Sequence, residues 1–175
     1  IAAERGQEPL AAVHDLLLGA ADDPGRLMVI IHAYTEDQQR EAFAHPLCVP
    51  GSDATTMAPD GPLAGKIFHG AYTWAAWYLR FCVQQEQVLT LPEAIHRLTG
   101  APAERLGLDR RGVLRPGAHA DVVVFDPAAF RGEGTTFDPS RLATGMDTVI
   151  VNGAVTLSSG ELTGVRKGQV LRRPS

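Results

Sequence analysis

The chain has 175 residues, of which 45% are hydrophobic, 21% charged and 6% aromatic, and its net charge is -4 at pH 7. This length suffices for one domain with a proper core, or for one small domain and part of another, and the composition is typical of globular proteins. The acidic balance and the lack of a Lys/Arg cluster argue against a nucleic-acid surface. No apolar run reaches the ~20 residues that span a bilayer, so we expect neither nucleic acid nor membrane as a partner.

The first part of the chain alternates helical patterns with short apolar runs. A helix is predicted from Pro9 to Ala20, and a second from the capping-box pattern Thr35–Gln38 to about Ala44. The runs Leu27–Ile31 and Leu47–Pro50 are apolar throughout, as in parallel strands that are covered on both faces. This alternation predicts βαβ units and a parallel sheet.

Three more helices are predicted after a loop rich in Gly, Pro and Ala. The longest runs from Ala71 to about Gln87 and carries aromatic side chains at helical spacing, which favour a core or a contact between subunits over a ligand site. A homo-oligomer is compatible with this stripe. A capping box at Thr90 opens the next helix, and a short helix from Pro102 ends at Gly107.

The remaining residues favour strands. Val122–Phe125 is an apolar strand, and Asn152-Gly153 between two alternating runs predicts a hairpin over Thr148–Leu157. Gln169–Arg172 is a candidate edge strand. We therefore predict two domains, an α/β domain over 1–108 and a β-rich domain over 109–175.

Gly51-Ser52-Asp53 directly follows the second apolar run. A carboxylate at the end of a buried strand is placed as catalytic groups are in a (β/α)₈ barrel. The same residue types also favour turns, so the local pattern leaves a turn role and a catalytic role open for Asp53. The two cysteines, Cys48 and Cys82, have no metal-binding spacing, and we expect both in the core. Their apolar surroundings favour a reducing compartment and hence the cytoplasm.

Three stretches together resemble the metal-dependent amidohydrolases, most of all the D-aminoacylase (N-acyl-D-amino-acid deacylase) branch. Gly112–Asp126 resembles the segment with which these enzymes enter their small β-sandwich domain. Val149–Gly153 with Gly160–Gly164 resembles the strand pair that closes it. Leu91–Leu108 is similar to the helical link between barrel and sandwich, and Gly51-Ser52-Asp53 matches the aspartate after the eighth barrel strand.

The resemblance implies the C-terminal part of a TIM barrel followed by part of a β-sandwich, in a metal-dependent hydrolase that acts on amide C–N bonds. It implies one or two zinc ions, held mainly by residues upstream of this chain, and a small-molecule amide substrate such as an N-acyl D-amino acid. The missing N-terminal part of the barrel is then a required partner. Asp53 would be the general acid–base, either alone or also as a metal ligand.

The expected substrate contacts are His69, Ser52 and Tyr34. The D-aminoacylase branch often has His-Pro-Arg where this chain has His69-Gly70-Ala71, which removes any anion-binding role of that Arg and leaves the substrate open. A cyclic-amide hydrolase or deaminase of the same superfamily is the alternative enzyme. A non-catalytic truncated fragment that needs a partner is the alternative of another class.

Overall fold

Helices form most of the first part of the protein. The structure is a computed structural model that describes residues 1–24, 27, 29, 31, 33–54, 60, 62, 64, 68 and 70–172. In these ranges the helices are α1 (Ala2–Arg5), α2 (Pro9–Gly19), α3 (Glu36–Ala44), α4 (Trp74–Leu79), α5 (Leu91–Leu98) and α6 (Gly100–Leu106), and a π-helix over Arg80–Gln85 continues α4.

Local capping signals explain where several helices begin and end. The Thr35 hydroxyl accepts a hydrogen bond from the Gln38 backbone N–H, and the Gln38 side chain accepts one from the Thr35 N–H, which completes the predicted capping box of α3. The Thr90 hydroxyl accepts from the Glu93 N–H at the start of α5. Gly107 ends α6 with φ at 68°, as predicted, because glycine adopts this left-handed conformation without steric cost.

The strands form one antiparallel sheet. Its order is β1 (Val122–Phe125), β2 (Met146–Val151), β3 (Ala154–Ser158) and β4 (Glu161–Leu162). Asn152 and Gly153 turn the chain between β2 and β3 with φ at 48° and 80°, so the predicted hairpin is confirmed. Gln169–Arg172 is not a strand, and the short β4 is the edge strand that follows β3.

The predicted parallel strands are wrong for the residues that the structure describes. Leu27, Val29 and Ile31 have no strand conformation, and neither does Leu47–Pro50. Val29 and Ile31 are 74% and 78% exposed. A covered strand needs hydrogen-bonded neighbours on its edges, and the described sheet is a separate antiparallel one. Apolar composition alone therefore did not produce strands here.

The core lies around the aromatic helix. Tyr78, Leu79, Phe81 and Cys82 are buried, together with Leu89 and Ala94. Phe43 of α3 packs edge-on against Tyr78 with ring centroids 5.3 Å apart. Phe125 of β1 and Phe130 pack against the same cluster, so the sheet contacts the helical core. No helix in the described ranges has the length and apolar character that a membrane crossing requires.

Candidate functional site

A fixed turn precedes the segment that carries Asp53. Helix α3 ends at Ala44, and Pro46 cannot continue it because proline lacks the N–H that a further helical bond requires. The His45 carbonyl accepts a hydrogen bond from the Cys48 N–H at 3.0 Å. The His45 Nδ1 atom accepts one from the Leu47 N–H at 3.2 Å. The chain therefore leaves α3 through a hydrogen-bonded turn.

Asp53 is exposed and lies in a turn with a left-handed backbone. Its φ is 50°, a conformation that costs most residues energy and that Asp tolerates better than most. The Ser52 hydroxyl accepts a hydrogen bond from the Ala54 N–H at 3.1 Å and closes this turn. The left-handed backbone is consistent with a turn role, and Asp53 is exposed to solvent. Such conformations are enriched at functional sites, so a turn role and a catalytic role are compatible.

The other sequence-predicted site residues lie in different surroundings. Ser52 is half-buried, with its hydroxyl already engaged by Ala54. Tyr34 is 72% exposed and comes directly before the capping box of α3. His69 lies outside the described residues. Substrate contact by these three residues stays a prediction.

Sequence reasoning missed Arg97, which is only 7% exposed. Its Nη1 atom donates to the carbonyl oxygens of Phe43 and His45 at 2.6 and 2.8 Å, and its Nη2 atom donates to Glu93 at 2.8 Å. Arginine is rarely buried unless its donors are paired, and here three contacts pair them. The available signal was its position three residues after Ala94, on the buried face of α5.

The buried thiol of Cys82 and the buried phenol of Tyr78 lie near Arg97, and both are neutral near pH 7. Burial raises the pKa of the Cys82 thiol to about 12, and the neighbouring Cys48 raises it further. Burial likewise raises the pKa of Tyr78 to about 12, while Arg97 acts in the opposite direction. Cys82 is therefore a core thiol and not a nucleophile, as expected from the sequence. Cys48 is half-buried.

A cavity of about 320 Å³ lies beside the chain that follows His69. Trp74, Trp77 and Arg80 line one side, and Gly132 and Gly134 line the other. A Cβ at Gly132 would lie 2.6 Å from the Cβ of Thr73, so this close approach requires glycine. The loop before β2 thereby contacts the start of α4.

A second ionic network fixes the entry to the sheet. Arg111 pairs with Asp121, whose carboxylate also accepts from the Asn152 N–H at 2.8 Å. Burial alone would raise the pKa of Asp121, but the Asn152 hydrogen bond and the Arg111 guanidinium outweigh burial and lower it. This network stabilises the link between α6 and the hairpin and contains no candidate nucleophile.

The described residues do not by themselves fit a zinc ion. A protein zinc site needs at least three His, Cys, Asp or Glu ligands, and no group of three such side chains in the described ranges could hold a metal. Asp53 is thus at most one member of a ligand set.

The chain is similar to enzymes that deacylate N-acyl-D-amino acids. It is 41% identical over 130 residues to N-acyl-D-aspartate deacylase of Alcaligenes xylosoxydans xylosoxydans, an alignment that covers 74% of this chain and 25% of the relative. The crystal structure of N-acyl-D-glutamate deacylase from Bordetella bronchiseptica, complexed with zinc and a phosphonate mimic of the tetrahedral intermediate, matches with a TM-score of 0.58 and 33% identity. That match covers 73% of this chain and 27% of the Bordetella protein.

A D-aminoacylase variant crystallised with copper chloride matches with a TM-score of 0.54 and 35% identity, over 57% of this chain and 21% of that one. The chain thus spans about a quarter of the length of the relatives that it matches. The model of the amidohydrolase family matches residues 3–157. Because this match covers most of the chain, the protein belongs to the amidohydrolase family.

Proposed function

We propose that this chain is part of an amidohydrolase that cleaves the amide C–N bond of an N-acyl amino acid, and that Asp53 transfers the proton. The observation that carries the proposal is the exposed Asp53 carboxylate, held in a strained turn after an apolar segment, in a chain whose relatives are deacylases of this type. A D-configured acidic amino acid is the proposed substrate, since aspartate and glutamate derivatives are named for two relatives.

Amide hydrolysis needs a group that first accepts a proton and then donates it. The attacking water must lose a proton as its oxygen bonds to the acyl carbon, and the departing nitrogen must gain one as the C–N bond breaks. A carboxylate does both, because it accepts the proton from water and is then the acid for the amine. Asp53 has the required carboxylate and accessibility.

The remaining machinery belongs to the proposal as well. We place Asp53 where the last strand of a TIM barrel ends, which requires the preceding segment, not a strand in this structure, to pair as one in the complete barrel. Residues 1–108 then belong to the barrel domain and 109–175 to a composite β-sandwich. One or two zinc ions, as the family resemblance implies, would be held mainly by residues outside this chain. The 175 residues alone are then inactive, because the described part supplies no ligand set.

The test replaces Asp53 by Asn in the full-length protein that contains this chain. Asp53→Asn keeps the size and tolerates the left-handed backbone but cannot accept the proton. We expect kcat to fall by about 10²–10⁴-fold with KM little changed, and the acidic limb of the pH–rate profile to change. Asp60→Asn makes the same substitution at an exposed residue of the same region and should leave kcat unchanged.

Three measurements separate the alternatives. Zinc that is lost together with activity would make Asp53 a ligand as well, and a near-normal kcat would refute the proposed role. Amine release from N-acetyl-D-aspartate and its L enantiomer, compared with ring opening of a cyclic amide, distinguishes the deacylase from a cyclic-amide hydrolase. A full-length protein without metal or turnover on any of these substrates would favour the non-catalytic alternative.

A further inference from the structure

Arg97 joins α5 to the turn that precedes Asp53. Its guanidinium donates to two backbone carbonyls at the end of α3, Phe43 and His45, across more than 50 positions of sequence. The last carbonyls of a helix lack intrahelical partners, and a cation at this end also interacts favourably with the helix dipole. Glu93, one turn earlier on α5, accepts from the Nη2 atom, which makes neither of the two carbonyl contacts.

The segment between this contact and Asp53 is short and restricted. Pro46 and Pro50 each fix one φ angle among the eight residues that follow His45 and end at Asp53. The His45 carbonyl that Arg97 holds also accepts the Cys48 N–H, so one oxygen anchors both the turn and the guanidinium. Cys48 and Val49 also line a cavity together with Arg97, so the first half of this segment lies beside α5. We therefore expect a shift at His45 to displace the chain that carries Asp53.

We propose that Arg97 is a positioning residue that sets the location of the Asp53 carboxylate through the His45 carbonyl. This inference rests on the proposed function, because it requires Asp53 to transfer the proton. Proton transfer depends steeply on geometry, and a displacement of ~1 Å can cost about 10²-fold in rate. Arg97 does not touch the substrate in this scheme, so it should affect kcat far more than KM.

Three single variants of the full-length protein test the geometry. Arg97→Met removes all three contacts while keeping the apolar stem, and we expect kcat to fall by about 10–100-fold with KM within about twofold. Arg97→Lys keeps the charge and one donor direction, so it should restore part of this loss. Glu93→Gln is the matched control, since it leaves the carbonyl contacts in place and should keep kcat within about twofold.

A double-mutant cycle separates positioning from mere stabilisation. If Arg97 acts through Asp53, Arg97→Met should change the residual kcat of Asp53→Asn by less than about twofold, although it lowers the melting temperature in both backgrounds. An equal loss of kcat in both backgrounds would overturn the inference while Asp53 keeps its role. If Arg97→Met does not fold, the same cycle is measured with Arg97→Lys. A near-normal kcat for Asp53→Asn would remove the proposed function and this inference together.

Discussion

The left-handed backbone of Asp53 predicts that replacing it by glycine costs less stability than replacing it by alanine, although both changes abolish the proposed activity. Its φ of 50° lies in the left-handed region, which costs a residue with an ordinary Cβ about 1–2 kcal/mol. Glycine avoids this cost, but it also gives the unfolded chain more conformational freedom, which cancels about 0.4–1 kcal/mol of the gain in stability. We therefore expect the free energy of unfolding of Asp53→Gly to exceed that of Asp53→Ala by about 0.5–1 kcal/mol.

Both variants lose the carboxylate, so both should lose activity to the same extent as Asp53→Asn. The assay compares the urea midpoints and kcat values of these three variants of the full-length protein. Asp53→Asn should be about as stable as the unsubstituted protein, because Asn also tolerates this conformation. Equal stability of the Ala and Gly variants would show that residue 53 is not left-handed in the working enzyme. Our account of the strained turn would then fail.

Two further predictions concern the sheet and its entry. In urea titrations, Gly145→Ala should lower the free energy of unfolding by about 2–5 kcal/mol, because the new Cβ would overlap the backbone of Ala129. The control Gly153→Ala should lower it by only about 1–2 kcal/mol, because its new Cβ would meet no atom within 4 Å. Asp121→Asn should cost about 1 kcal/mol at pH 7, reduced by salt because the Asp121 side chain is 33% exposed. Since the folded state lowers the pKa of Asp121, its contribution is complete above the unfolded value of about 4 and is lost as pH falls through the lower folded value, so the two proteins should converge in acid. A stability difference that does not shrink as the pH falls below the unfolded value would contradict this account.

Features with a local cause could be predicted from the sequence. The capping box at Thr35 and the hydroxyl cap at Thr90 depend on residues within one helical turn, and both helices begin where expected. The Asn152-Gly153 turn needs only two residues that accept positive φ. The burial of Cys82 also followed from its place on an apolar helical face.

Features that depend on distant partners could not be predicted. Arg97 bonds to the carbonyls of Phe43 and His45, which lie 54 and 52 positions earlier in the chain, and no local sequence pattern encodes these contacts. The apolar run at Leu47–Pro50 predicts a strand, but strand formation also requires a neighbouring strand. The sequence predicts a regular helix over Arg80–Gln85, where the structure has a π-helix. A wide turn, in which the Glu86 N–H donates to the Phe81 carbonyl, barely changes the apolar spacing.

The residues ahead of Asp53 connect assembly with catalysis in the proposed enzyme. Val29, Ile31 and Leu47 are each at least 69% exposed, although their side chains are among those most often buried in proteins. Covering each of them would contribute about 1.5–3 kcal/mol, so a complete barrel gains stability at this surface. The same closure would exclude water around the Asp53 carboxylate, and a proton shuttle works best where competing solvent is excluded. In the proposed enzyme, burial of these side chains and exclusion of water from Asp53 should therefore be one event.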